Sequence, residues 1–294
     1  MQLGIFKKTI RDYYKKHGRH DLPWRKTRDP YKILVSEIML QQTQVSRVIP
    51  KYNSFLKNFP DTKTLAQAKL SEVLREWQGL GYNRRGKYLK DCAEKIEKDF
   101  GGKFPAKTPA LARAGVRLSL FQTTIRDDFK LLCSLPGIGP ATAGDIMAFA
   151  WNIPVPLIET NIRNVFIHFF FRDFEKVSDK EILKLVEKTL DQKNPREWYW
   201  ALFDYGAFLK GQTGRTVGSQ NLNSKSKHYV KQSPFKNSNR QKRSQILKLI
   251  LEKPRTEKEI VKSLGYDVEI ISKNILTLQK EKIIQKVKNQ YSIL

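Results

Sequence analysis

Residues 131–150 read LLCSLPGIGPATAGDIMAFA. The apolar spacing predicts a helix that stops at Leu135-Pro136, a turn over Gly137-Ile138-Gly139, and a second helix opened by Pro140. Two glycines let the backbone come close to a ligand, and the first N–H groups of the second helix suit a phosphate. A helix-hairpin-helix of this kind holds a nucleic-acid backbone without reading its bases. A bare Gly-x-Gly is weak evidence, because most are ordinary turns; the longer string LPGIGPATA is much more specific.

Upstream, Trp24 to Pro50 reads WRKTRDPYKILVSEIMLQQTQVSRVIP. Asp29 followed by Pro30 predicts an N-cap and first-turn proline for the helix YKILVSEIML. Glu37 sits among Val35, Ile38, Met39 and Leu40, an apolar setting that raises a carboxyl pKa and prepares a general acid. A glutamate on the wet face of the same helix gives the same pattern. Gln41, Gln42 and Thr43 follow as a polar cluster that suits base edges, a vacated place in a duplex, or a plain polar turn. Downstream, VPLIETNIRNVFIHFFF (155–171) places Glu159 after an apolar run, with Thr160-Asn161 as the expected cap of the next helix. Glu159 suits either a stabiliser of positive charge or an ordinary helix-start carboxylate.

The rest of the chain is helical in period, as in DTKTLAQAKLSEVLREW and DKEILKLVEKTLDQ, with no internal repeat. Its 294 residues carry 55 Lys+Arg against 29 Asp+Glu, a net charge of +26, which points to a polyanionic partner. No apolar run reaches a membrane span, no signal peptide is legible, and a cytoplasmic protein is expected, nucleoid-associated if its source is bacterial. Two cysteines support neither a disulfide framework nor a multi-cysteine metal site. Residues 210–244 hold nine Lys/Arg and no Asp/Glu, which reads as a solvated basic arm. Beyond it come RQKRSQILKLILE, TEKEIVKSLG opened by Thr256, VEIISKNILTLQKEK and a terminal hairpin around Lys-Asn-Gln. Three helices and a hairpin suit a winged helix-turn-helix or a plain three-helix bundle.

Six ordered motifs over residues 6–210 (LPW…DPYKILVSEIMLQQTQVSRVIP, EWQGLGYNRRGKYL, GGKFP, LPGIGPATAG, IETNIRNV and DYGAF) resemble the HhH-GPD superfamily of helix-hairpin-helix DNA glycosylases. Within it the chain is most similar to the MutY-type adenine glycosylases. The resemblance implies an all-α, bilobed fold: a glycosylase domain over 1–209, with a six-helix lobe (30–130) and a second lobe (1–29 plus 131–209). A basic arm (210–238) and a winged-helix-like domain (239–294) follow.

The resemblance also implies a monofunctional glycosylase that hydrolyses a flipped adenine from double-stranded DNA, opposite guanine or 8-oxoguanine, and acts as a monomer. Glu37 matches the glutamate that protonates the purine, and Glu159 stands where the family has its catalytic Asp. Tyr82 matches the tyrosine inserted into the duplex. Gln41, Gln42, Gly137, Ile138, Gly139, Ala141, Thr142, Asn161 and Arg163 match DNA-contacting positions. Ala141 replaces the nucleophilic lysine of the lyase branch, so a Schiff base through that position is excluded.

Three departures stand out. Glu159 is one methylene longer than the family aspartate, and displacements near 1 Å cost about 10²-fold in rate. Lys210 stands at the first of the family's four cluster cysteines, so no 4Fe-4S cluster and no other cofactor is expected, apart from room for a monovalent cation at the hairpin. The winged-helix-like domain replaces the part with which MutY-type enzymes recognise oxidised guanine. Residues 106–130 exceed the family's usual length and read as a surface insertion. A glycosylase for mispaired thymine or an alkylated purine, and a non-catalytic damage-sensing protein, remain the alternatives.

Overall fold

The computed structural model describes residues 2–106, 118–212, 222–227, 229, 231 and 234–294. The chain divides into two compact units. The first gathers residues 1–34, 105–134 and 138–231, and the second 35–104, 135–137 and 232–294. The part of the expected insertion at 107–117 lies outside the described residues.

In the first unit, α1 (Leu3–His17) buries Phe6, Ile10 and Tyr14 at helical spacing. The Phe6 ring lies 5.0–5.9 Å from those of Phe166, Phe169, Phe170 and Trp198. These belong to α9 (Thr160–Phe170) and α11 (Pro195–Gln212), which pack on one another and, with α1, form the core. The helices α7 (Leu118–Cys133), α8 (Pro140–Trp151) and α10 (Asp179–Thr189) complete the unit. Part of the expected solvated arm is docked instead. Leu222–Lys225 forms a 3-10 turn, Ser226 is buried, and Val177 exchanges backbone hydrogen bonds with Lys225 (2.8 Å) and Lys227 (3.0 Å). Backbone groups of the arm satisfied in this way resist release as a free linker.

Helix α2 (Pro30–Leu40) runs from the first unit into the second and begins as expected, with the Tyr31 N–H donating to the Asp29 carboxylate at 2.9 Å. The second unit continues with α3 (Val45–Asn58), α4 (Thr62–Gln67), α5 (Leu70–Glu76) and α6 (Arg84–Phe100). Its C-terminal part is α12 (Asn239–Glu252), α13 (Glu257–Leu264), α14 (Val268–Lys280) and the hairpin β1 (Ile284–Val287)–β2 (Gln290–Ile293). Thr256 opens α13 as expected and forms a reciprocal cap with Glu259, and Gly265 ends that helix in the left-handed conformation. The hairpin turns at Lys288-Asn289, and Tyr291 also exchanges two backbone hydrogen bonds with Arg255, which ties the hairpin to the entry of α13. Among the described residues, no helix is long and apolar enough to cross a membrane.

Candidate functional site

Helix α2 has no glycine to close it, so the carbonyls of its last turn need other donors. Arg85 supplies them from the start of α6. Its Nη1 donates to the carbonyls of Ile38 (2.8 Å), Met39 (3.1 Å) and Gln41. Its Nη2 donates to Thr43 Oγ1 (3.1 Å) and to the carbonyls of Leu80 (3.0 Å) and Gly81 (3.2 Å). One buried guanidinium therefore ties the end of the Glu37 helix to the loop Gly79-Leu80-Gly81-Tyr82. Burial lowers the Arg85 pKa to about 10, so the group stays charged at neutral pH, where helix-end carbonyls favour a cation.

Around that clip the second unit places Glu37, Gln41, Gln42 and Tyr82. Glu37 is partly buried between Ser36 and Ile38, and Ser36 Oγ lies 3.5 Å from its Oε1. Gln41 is partly buried and Gln42 exposed in a left-handed turn at φ 56°. Tyr82 is also left-handed (φ 48°) behind two glycines of positive φ, Gly79 and Gly81, a backbone that a bulky residue rarely adopts. Trp77 fixes the same loop by donating from its indole N–H to the Gly81 carbonyl at 3.1 Å. Backbone strain of this kind persists only where the surroundings hold it in place.

The predicted hairpin forms. Gly137 has φ +77° and passes so close to Tyr88 that a Cβ would stand 2.8 Å from the Tyr88 Cβ. Gly139 is the extended N-cap of α8, and Pro140 is its first residue. A glycine cap offers the first-turn N–H groups no side-chain acceptor, which favours an external anion there. Gly139 is exposed and Ala141 partly so, whereas the side chains of Ile138 and Thr142 are buried, so those two residues offer a ligand backbone rather than side chain.

Glu159 is reached by a built path. After α8 the chain turns at Asn152 (φ 56°), and the Ile153 N–H bonds the Met147 carbonyl. Tyr199 then pins the segment, donating to Val155 O (2.7 Å) and accepting from Leu157 N–H (3.2 Å). Leu157 packs on Gly144, where a Cβ would come within 2.8 Å of it. The segment ends on Glu159, which is itself the N-cap of α9, not Thr160-Asn161 as the sequence suggested. The longer side chain reaches back so that Oε1 accepts from Ile162 N–H at 2.8 Å and Oε2 from Asn161 Nδ2 at 3.2 Å. Part of Glu159 remains open, yet burial of the carboxylate raises its pKa despite those hydrogen bonds and the nearby charge of Arg163.

Arg163 gives its Nε and Nη2 to Asp179 at 2.7 Å each, and its guanidinium is thus engaged within the protein. The aspartate of DYGAF, Asp204, anchors the same unit. It accepts bidentate bonds from Arg25 (2.8 and 2.9 Å) and further bonds from Arg19 N–H and Nε (2.8 and 2.6 Å). Burial opposes its charge, but Arg25 and Arg19 outweigh it and hold the carboxyl below its usual pKa. Arg85, Asp204 and Arg25 were not singled out from the sequence, although each stands inside or beside a quoted motif.

The profile of HhH-GPD superfamily base excision DNA repair proteins matches residues 35–192. An adenine DNA glycosylase of Buchnera aphidicola subsp. Baizongia pistaciae is 33% identical over 235 residues, 79% of this chain and 60% of that protein. One from Mycolicibacterium smegmatis is 39% identical over 150 residues, 51% of this chain and 44% of that protein. The first three such relatives are matched over 53–60% of their own length. Among solved structures, a thermostable thymine-DNA glycosylase aligns with TM-score 0.58 at 25% identity, covering 70% of this chain and 86% of that one. A non-covalent endonuclease III–DNA complex aligns with TM-score 0.52 at 16% identity, covering 76% and 94%, a likeness of fold alone.

Proposed function

Because the chain belongs to the HhH-GPD superfamily of base excision DNA repair proteins, we propose that it is a monofunctional DNA N-glycosylase that removes adenine mispaired with guanine or 8-oxoguanine. The observation that carries this reading is the second-unit constellation of Glu37, Gln41, Gln42 and Tyr82 held by one arginine. The similarity to adenine DNA glycosylases supports the choice of base.

In this reading the uncapped start of α8 and the basic surface hold the phosphates, and Tyr82 enters the stack beside the mispair. Unstacking costs a few kcal/mol, less at a mismatch. Glu37 gives a proton to the leaving adenine, and ionised Glu159 stabilises the oxocarbenium-like sugar while either carboxylate activates water. The N-glycosidic bond breaks with its electron pair going to the protonated base, and water supplies the new C–O bond. Ala141, in the first turn of α8, cannot form a Schiff base, so no lyase step runs through that position.

The iron–sulfur cluster of the family does not fit this chain. Its two cysteines are Cys92, buried in α6 with its thiol pushed up to about 12, and Cys133 at the end of α7, whereas such a cluster needs four thiolates. Around α11, Tyr205 and Phe208 pack with Tyr13 of α1 at 5.0 and 5.1 Å between ring centroids. These aromatics tie α11 to α1 through apolar contact, and the proposed reaction proceeds without a cofactor.

A single-turnover panel of duplexes carrying A·G, A·8-oxoguanine, T·G and an alkylated purine tests the proposal. Adenine release, abolished by Glu37→Gln, is expected, with strand scission only after alkali. Release of thymine alone would favour the second reading, supported by the thymine-DNA glycosylase likeness. Salt-dependent binding with no base released would leave a damage-sensing protein.

A further inference from the structure

The C-terminal module of the second unit is not tethered loosely beside its lobe. Leu70 and Leu74 of α5 belong to one apolar cluster with Ile246, Leu247, Ile250 and Ile271. Arg75 Nη2 donates to the Leu251 carbonyl at 3.1 Å, and Arg84 and Arg243 both pair with Glu281. These contacts fix the first turn of α12 beside the loop that carries Tyr82. From that turn Arg240 reaches the tyrosine itself. Its guanidinium lies 5.4 Å from the ring centroid, and its Nη1 donates to the phenol oxygen. Arg85 stands at the same distance, 5.4 Å, from that ring.

We infer that Arg240 is a positioning residue for Tyr82, so that the C-terminal module sets how the tyrosine is presented to a duplex. The inference rests on the DNA-reading role proposed above for Tyr82. Two guanidiniums contact one ring whose backbone is already left-handed. Arg85 is fixed by carbonyls of its own lobe, so its contact does not depend on the C-terminal module. Arg240 comes from 158 positions away, and its contact exists only when the module is docked. A charge-assisted bond to the phenol and the cation over the ring restrict the tyrosine's rotamers before DNA arrives. Less ordering then remains to be done when the ring enters the stack. Arg240 is thereby a selector of disrupted sites as well as a source of charge.

The test uses the full chain and four proteins: wild type, Arg240→Ala, Tyr82→Ala and the double variant, with Arg240→Lys as the conservative control. Adenine release and fluorescence-anisotropy binding are measured on an A·G duplex, on a matched duplex, and on a duplex with the adenine opposite an abasic site, where little unstacking is left to do. Arg240→Ala is expected to lower release and binding on the A·G duplex about tenfold or more, with little change on the abasic duplex. It should have no further effect once Tyr82 is alanine. Arg240→Lys, which keeps the charge but not the planar fork, should restore the function in part. Equal losses on all three duplexes, or full additivity with Tyr82→Ala, would make Arg240 a simple phosphate contact and overturn the inference. If the wild type releases no base, the proposed enzymatic function fails, and the binding ratios still decide the role of Arg240.

Discussion

The guanidinium of Arg85 holds the carbonyl of Ile38 at 2.8 Å, one residue past Glu37 on the same helix. Substituting Arg85 by Met leaves several buried carbonyls without a donor, at about 1–3 kcal/mol for each group left unsatisfied. Arg85→Met is therefore expected to lower urea-unfolding stability by about 3 kcal/mol and to abolish base release even where the protein still folds. Arg85→Lys should recover only a minor part, since a single ammonium cannot span carbonyls on both the helix end and the Tyr82 loop. Wild-type stability in both variants would show that the clip is dispensable.

Gly206, in the DYGAF motif, lies against the start of α9: a Cβ there would come within 2.5 Å of the Asn161 carbonyl oxygen and 2.6 Å of its Cβ. The backbone cannot yield there without moving Glu159, two residues earlier. Gly206→Ala is expected to cost about 1–3 kcal/mol in unfolding free energy and to reduce single-turnover rates more than DNA affinity. A variant with normal rates would disprove the coupling between α11 and the carboxylate.

Local signals in the sequence reached local structure. The Asp29-Pro30 start of α2, the Thr256 cap and the terminal hairpin all follow from residues a few positions apart. Arg85 and Arg240 were illegible for the opposite reason: both stand in basic runs that look solvated, and their partners come from 44 and 158 positions away. The Arg163–Asp179 pair is illegible in the same way, since its members stand 16 positions apart. Charge composition fixes how many cations a chain has, while packing decides which of them remain free.

Asp204 offers a test by pH. Its folded pKa is depressed, so the stability it contributes is present above the unfolded value of about 3.9 and is lost as pH falls through the folded pKa. Thermal unfolding followed from pH 7 to 3 should show this loss in the wild type. Asp204→Asn should begin about 3–5 kcal/mol less stable at neutral pH, because the nearly buried Arg25 loses its counter-charge, and should show a shallower acid dependence. Parallel pH curves would exclude Asp204 as the source.

Glu159 carries the opposite sign. Burial raises its folded pKa, so the folded state holds the proton more tightly than the unfolded chain, and ionising this carboxylate costs stability above its ordinary value. The proposed role needs the ionised form. Single-turnover base release should therefore fall on the acid side with a midpoint above the ~4.3 of an unperturbed glutamate. Glu159→Gln keeps a carbonyl acceptor for the Ile162 N–H while removing the buried charge. It should lower the rate by about 10²-fold or more, yet leave the melting temperature at pH 7 unchanged or higher. A fall in both would mean that the carboxylate acts chiefly as the cap of α9. A rate profile flat down to pH 4 would show that its ionisation is not required.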